Sequence, residues 1–426
     1  MGIASSRTDL DDATTQIEIL RKIGKELQVR DKETSVRLQN LEKILMSLIG
    51  VKAPDSPSAE TPGYALAPIS WSSKHPAPIP GPSEHSTPVA GSVVPKADPL
   101  DGESSKNAVI TDVDNFRVVA NVSNTGSETL RLLRDPRSPL SQAPTESFSV
   151  INSKGARAVF SGIRVRYNPQ AAIQAGRAEN FVKLKPGESV SVEHDLAGVY
   201  NLTSTGVGAY TLDAANLFRV VDSNGTLSDI LANIESSKVD IRGKLASLKN
   251  LVASPDNILS KRVEYAGCSA AQRSQIASAV STSYSYAKNS FDHLTRYPRG
   301  SPRETRWFGT WSAGRHLLLL DSFSRLRAYP NTWTYNCNSC THSDWYAFVY
   351  PSRYGTVYLC AQFWRAPATG AGSRADTIIH EGTHFPEVLR TKDYQYGQSN
   401  CLALARSSPA LAVYNADNHA FFSVNA

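Results

Sequence analysis

The sequence predicts an α+β protein in which a mainly helical C-terminal domain with a small antiparallel sheet follows an antiparallel β-sandwich and an N-terminal helix. Three observations carry that expectation. Short runs of alternating apolar and polar residues, broken by turn signals, fill residues 108–221. Beyond Val263 the composition shifts toward aromatics and arginine, with five of the six tryptophans and all five cysteines there. Within that C-terminal part, residues 377–397 carry an H-E-x-x-H spacing at His380, Glu381 and His384.

At 426 residues the chain has room for two or three domains. A net charge of +6 is mild for this length and assigns no nucleic-acid partner, and no basic run has interleaved aromatics. No stretch of about 18 apolar residues predicts a membrane span. Cys268, Cys337, Cys340, Cys360 and Cys401 cluster in one domain, which points to disulfides formed in an oxidising compartment. The alternative is a cysteine metal site at the C-x-x-C of Cys337 and Cys340, but a second such pair at finger spacing is missing.

Residues 1–50 read as an amphipathic helix. Leu20, Ile23, Leu27, Leu41, Ile44 and Leu48 fall on three- and four-residue spacing, interrupted by Arg30, Thr34 and Arg37. Such a helix either self-associates as a short coiled coil or docks on its own chain. M-G-I-A-S-S also fits the loose myristoylation pattern at Gly2 and Ser6. The segment lacks the apolar core of a signal peptide, which conflicts with the cysteine argument. Residues 51–107 hold eleven of the 24 prolines and read as a disordered linker.

The runs at 116–122, 147–151, 163–167, 189–194 and 217–221 are the expected strands of the sandwich, assigned to 108–225. With no cysteine and no convergent His/Asp/Glu cluster, that region is not expected to carry chemistry. Residues 226–262 return to helical spacing (Leu227, Ile230, Ile234, Ile241, Leu245, Leu248) and are expected to form a helical connector. It ends at Lys261-Arg262, a dibasic pair placed as an activation cleavage site would be. Asn121, Asn201 and Asn224 head sequons.

In residues 263–426, helices are expected at 269–295, 398–406 and 409–415, and strands at 345–350 and 356–360. The segment carrying His380 is also expected to be helical, with Pro386 ending it. Helical spacing puts His380 and His384 one turn apart on one face, so both imidazoles can reach a single metal ion, and Glu381 is placed as a base toward a metal-activated water. Ile378 and Ile379 just before His380 mark a buried helix rather than two solvated histidines. Asp393 is the candidate third ligand on the following loop.

The stretches H-E-G-T-H-F-P, R-T-K-D-Y-Q-Y-G and N-A-D-N-H-A-F-F resemble the deuterolysin and peptidyl-Lys metalloendopeptidase family of fungal aspzincins, whose pattern is H-E-x-x-H followed by G-T-x-D-x-x-Y-G. The resemblance covers 263–426, including W-F-G at 307–309 and G-T-V-Y-L-C at 355–360, and extends to 108–221 as the family's pro-region. It implies a secreted, zincin-like zinc endopeptidase made as a zymogen, acting on proteins and peptides, with one zinc per catalytic domain. His380, His384 and Asp393 would be the ligands, Glu381 the catalytic base and Tyr396 the oxyanion donor. Asp417 would line the pocket for the residue after the scissile bond, P1′. The implied disulfides are Cys268–Cys337 and Cys340–Cys360, with Cys401 a buried thiol.

Two positions depart from the family pattern. Arg390 replaces a glycine, and since a side chain at positive φ is strained, the loop is expected to take another path. Ala420 replaces the second acid of the lysine-specific members, which would loosen selectivity for lysine at P1′. Against that, residues 263–426 contain only two lysines, Lys288 and Lys392, beside thirteen arginines, as suits a protease that cuts before lysine. The competing reading is an inactive homologue serving as a binding protein.

Overall fold

A computed structural model describes residues 88–96, 108–247 and 262–424. The expected N-terminal helix with its self-association, most of the linker, and Lys261 lie outside the described residues. Arg262 is exposed where the described chain resumes.

The N-terminal β-region contains three four-stranded sheets. In the first, Val89–Pro95 sits between Asn233–Glu235 and Arg117–Asn124, with Ser189–Asp195 beyond. The second runs Ala108–Asp112, Ser237–Lys244, Gly208–Ala214, Phe148–Asn152. The third runs Leu227–Leu231, Leu217–Val221, Leu130–Leu133, Phe181–Leu184. Alternating side chains form the interior: Val93, Val118 and Ala120 of the first sheet cluster with Ile110, Val150, Leu212 and Ile241 of the second. Val122, farther along the strand that carries Val118, and Val192 of its neighbour cluster with Leu132, Val182 and Phe218 of the third. Pairings are mostly antiparallel, but Val89–Pro95 with Asn233–Glu235, and Ala108–Asp112 with Ser237–Lys244, are parallel.

Two expectations fail here. Val89–Pro95, assigned to a disordered linker, is a strand whose Val89 and Val93 are fully buried. Residues 227–244, assigned to a helix, form three strands. Val239 and Ile241 are buried and alternate with Lys238, Asp240 and Arg242, a period of two that the three- and four-residue spacings around it obscured. Thr226 closes the turn after Asp222, so Leu227–Leu231 folds straight back on Leu217–Val221 as a hairpin.

The C-terminal domain is built around two elements. A long helix, Ala270–Arg296, starts at a capping box of Ser269 and Gln272. A short helix, Arg374–His384, has every residue from Ala375 to His384 buried. Ile378 and Ile379 join Ile276, Val280, Leu326, Trp333 and Phe422 in the main core. Gly382 is required there: a Cβ on it would lie 2.6 Å from the Trp333 ring and 2.7 Å from Leu326. The helix stops at His384 because Phe385, preceding Pro386, is driven to extended backbone (φ −65, ψ 135). Pro302–Phe308, Ala313–Leu326, Ala361–Arg365, Gln398–Ser407, Pro409–Ala412 and Ala416–Val424 are the other helices among the described residues of this domain.

The sheet of this domain is mixed, not antiparallel as expected. Glu264–Ala266, Thr334–Asn336 and Thr356–Leu359 run parallel to one another, and Trp345–Val349 is antiparallel to the last. Disulfides Cys268–Cys337 and Cys340–Cys360 tie the sheet to the long helix and to the loop before Trp345–Val349, and Cys401 is free and buried. The fifth strand, Arg164–Tyr167, comes from the N-terminal β-region and pairs antiparallel with Trp345–Val349. Apolar packing joins the two regions around it: Leu133, Ile163, Val165, Tyr167 and Val221 cluster with Trp345, Phe348 and Tyr396.

Candidate metal centre and active site

His380 and His384 project from consecutive turns of one helix, and their Nε2 atoms are 3.2 Å apart. Asp393 Oδ1 lies 3.1 Å from His380 Nε2 and 3.5 Å from His384 Nε2. Three donors each about 2.0–2.1 Å from a tetrahedral ion would lie about 3.3–3.4 Å from one another, so the triad fits a zinc-sized ion. Among the described residues these three form the group able to hold a metal. Asp393 Oδ1 is buried with no hydrogen-bond partner, a cost that a cation at the centre would remove.

Both imidazoles are held from behind. His380 Nδ1 bonds Asp417 Oδ1 at 2.8 Å, and His384 Nδ1 bonds the Thr391 carbonyl at 3.0 Å. A proton on each Nδ1 leaves each Nε2 lone pair facing the centre. Thr391 is placed by its backbone N–H on the Thr383 carbonyl and by the 2.6 Å contact between the two hydroxyls. Arg390 precedes it at φ +58, so the loop keeps the left-handed conformation despite the arginine, contrary to the expected change of path. Arg390 is exposed, which lets its side chain leave for solvent while the backbone bears the strain.

Glu381 is fully buried beside the triad. Burial pushes its carboxyl up to about 8, with the charge of Asp393 adding to the effect. Its Oε2 has no partner, and its Oε1 accepts from the backbone N–H of Arg166 at 3.2 Å. The Tyr396 hydroxyl donates to the Val165 carbonyl, and Asp393 Oδ2 accepts from the Val165 N–H at 3.3 Å. The peptide group joining Val165 to Arg166 therefore spans the site, its oxygen on Tyr396 and its nitrogen on Glu381.

The Arg166 side chain is 3% exposed and buried against the helix bearing the histidines. It forks onto Asp376 (Nη1–Oδ1 2.5 Å, Nη2–Oδ2 3.1 Å) and donates to Thr377 Oγ1 at 2.8 Å. Its Nε lies 3.5 Å from Asp417 Oδ1. Asp417, expected to line a pocket, is thus also the support of His380, and its Oδ2 accepts from Gly397 N–H at 2.9 Å. Ala420 is fully buried.

Five residues here escaped the sequence reading: Asp376, Thr377, Thr391, Val165 and Arg166. Asp376 carried a usable signal, since it lies one helical turn before His380 on the same face. Arg166 carried none, because an arginine in an alternating strand reads as a solvated position.

Known proteins resemble this chain over most of its length. A family model described as lysine-specific metallo-endopeptidase matches residues 293–424, and one described as deuterolysin metalloprotease (M35) family matches residues 88–310. The peptidyl-Lys metalloendopeptidase of Grifola frondosa is 40% identical over 318 residues, 74% of this chain and 90% of that protein. The protein of the same name from Armillaria mellea is 39% identical, covering 74% of this chain and 89% of its own length. An extracellular protease of Aeromonas hydrophila is 31% identical over 73% of this chain and 88% of its own. A solved structure titled zinc peptidase from Grifola frondosa shares 42% identity over 37% of this chain and 97% of its own, with a TM-score of 0.36. With relatives this similar over most of its length, the chain belongs to the deuterolysin (M35) family of metalloproteases and is a metalloendopeptidase.

Proposed function

We propose that the chain is a zinc-dependent endopeptidase made as a zymogen, with strand Arg164–Tyr167 of its own β-region lying in the cleft as a substrate would. One observation carries this reading: the peptide group between Val165 and Arg166 is held at its oxygen by Tyr396 and at its nitrogen by Glu381, the two side chains that would act on a scissile bond. The strand enters antiparallel to Trp345–Val349, on the sheet edge that an extended substrate would extend.

His380, His384 and Asp393 would hold the zinc, whose charge polarises the carbonyl and the attacking water. Glu381 takes a proton from that water as its oxygen bonds to the carbonyl carbon, and passes the proton to the departing amine nitrogen. Its Oε1, 3.2 Å from the Arg166 nitrogen, is already within reach of that atom. Tyr396 donates to the carbonyl oxygen as negative charge gathers there.

The strand leaves when the β-region is cut away, and the dibasic Lys261-Arg262, which precedes the C-terminal domain in the sequence, is the proposed place of that cut. Lysine after the scissile bond is the side chain that the family resemblance implies. Two disulfides support export to an oxidising compartment.

The test compares casein hydrolysis by the zinc-loaded full chain before and after limited proteolysis, with Glu381→Gln as control. Activity is expected to rise at least tenfold on proteolysis, while the Glu381→Gln chain stays about a thousandfold below wild type and keeps one zinc. An intact chain already at full activity would sink the zymogen reading, and an active Glu381→Gln chain the assigned base.

A further inference from the structure

We infer that the pocket for the residue after the scissile bond takes its specificity from Asp376 together with Asp417, and that it accepts arginine as well as lysine. This rests on the reading of Arg164–Tyr167 as a substrate-like strand, in which Val165 occupies P1 and Arg166 occupies P1′.

The pocket is built for a planar cation. Asp376 presents both oxygens to the guanidinium, the two-point contact that an arginine makes and a lysine ammonium cannot. Thr377 Oγ1 accepts a further N–H, and Asp417 faces Nε from the opposite helix. The Tyr346 ring lies under the guanidinium, 5.2 Å from its carbon to the ring centre. Asp376 is held before any guest arrives. Its Oδ2 accepts from Gly372 N–H at 2.7 Å, and its own N–H is capped by Ser373 Oγ at 3.1 Å. It is the first-turn acid of the helix, where the positive end of the helix dipole favours its charge.

The same geometry accounts for Ala420. That position lacks the second carboxylate, and Asp376 supplies one from the helix that carries the histidines. With no cation opposite it, Asp376 would be a buried charge with a single backbone partner, so an apolar residue at P1′ is disfavoured.

Two measurements on the full chain and its proteolysed form test this. In the intact chain, Arg166→Ala vacates the pocket, and ethylguanidinium is titrated while the thermal midpoint is followed. The cation is expected to raise the midpoint and to bind at least tenfold more weakly once Asp376→Asn is added. Ethylammonium should bind more weakly than ethylguanidinium. Equal responses in the two variants would overturn the pocket assignment. In the second measurement, proteolysed full chain is offered peptides that differ only at P1′ as Arg, Lys, Gln or Leu. Arginine and lysine peptides are expected to be cut at kcat/KM values on the order of a hundredfold above the leucine peptide, and Asp376→Asn should remove most of that ratio. Hydrolysis with no basic preference, or a preference untouched by Asp376→Asn, would overturn the inference. Guanidinium binding in a chain that cuts none of the peptides would sink the peptidase reading and leave the pocket standing.

Discussion

At the scale of single residues, the site depends on carboxylates that each serve two neighbours. Asp417 bonds His380 Nδ1 and the Gly397 N–H while facing Arg166, so one carboxylate serves both a candidate metal ligand and the buried arginine beside it. Asp417→Asn keeps the shape but weakens the hold on the imidazole. We expect metal affinity to fall about 10–100-fold, read by chelator competition, since supports behind metal-ligating histidines typically have that effect. An unchanged affinity would remove Asp417 from that role. Arg390 offers a test in the opposite direction. Its φ of +58 costs a non-glycine residue about 1–2 kcal/mol, of which glycine's greater unfolded freedom takes back about 0.5–1. Arg390→Gly should therefore raise stability by about 0.5–1 kcal/mol in urea unfolding, and a loss of stability would show that the arginine side chain has a role of its own.

At the scale of elements, the helix Arg374–His384 is constrained on every side. Placing glycine in the middle of a helix ordinarily costs about 1 kcal/mol relative to alanine. Here the trade reverses, because an alanine Cβ would meet Trp333 at 2.6 Å and Leu326 at 2.7 Å. Both of those side chains are packed in the core, so Gly382→Ala should destabilise the protein by about 1–3 kcal/mol and displace the histidines that flank it. Denaturant unfolding together with zinc content would show both effects. The strand Arg164–Tyr167 is the other decisive element. Its edge pairing is local, but its hydrogen bonds reach Glu381, Asp393 and Tyr396 at once, which makes it an occupant of the site and not merely an extra sheet strand. The β-region is not expected to carry chemistry, and what it brings to these three residues is the backbone of this strand.

At the scale of the whole molecule, the two regions are joined by an apolar cluster and by a small set of charges. Glu146 of the β-region accepts from Lys392 at 2.8 Å and pairs with Arg164 at 2.5 Å, and Arg137 donates to the Tyr394 carbonyl at 3.0 Å. Acid stability depends on the helical core. His419 is fully buried, with Nε2 on the Val413 carbonyl and Nδ1 without a partner, and burial pushes its pKa down to about 4. In the unfolded chain it titrates near 6.5. Between those values the unfolded state binds more protons than the native one, so stability is lost as pH falls from about 6.5 and the loss is complete near 4. The contribution is up to about 3 kcal/mol, and His419→Gln should lose less stability than wild type between pH 7 and pH 4.5 in parallel urea titrations. Identical losses would show that other groups govern the acid limb.

The sequence alone determined what local pattern can encode. H-E-x-x-H on a buried helix names His380, Glu381 and His384, because a period of 3.6 residues places two imidazoles on one face whatever lies around them. The stop at Pro386 and the long helix after Ser269 are local in the same sense. Asp393 is the candidate carboxylate on the following loop and Tyr396 comes from a family pattern, and the structure brings both to the two histidines through a loop whose left-handed turn no side-chain period reveals. Periodicity misled at residues 227–244, where apolar residues at helical spacing lie in strands, one folded back as a hairpin and the others paired with segments as distant as Val89–Pro95 and Ala108–Asp112. Only the tertiary structure decided what fills the cleft. Arg166 and Asp376 are separated by 210 positions, and nothing short of the folded chain brings a strand arginine onto a helix carboxylate. Local propensity sets the elements, while charge pairing across such a distance depends on how the sheets close on one another.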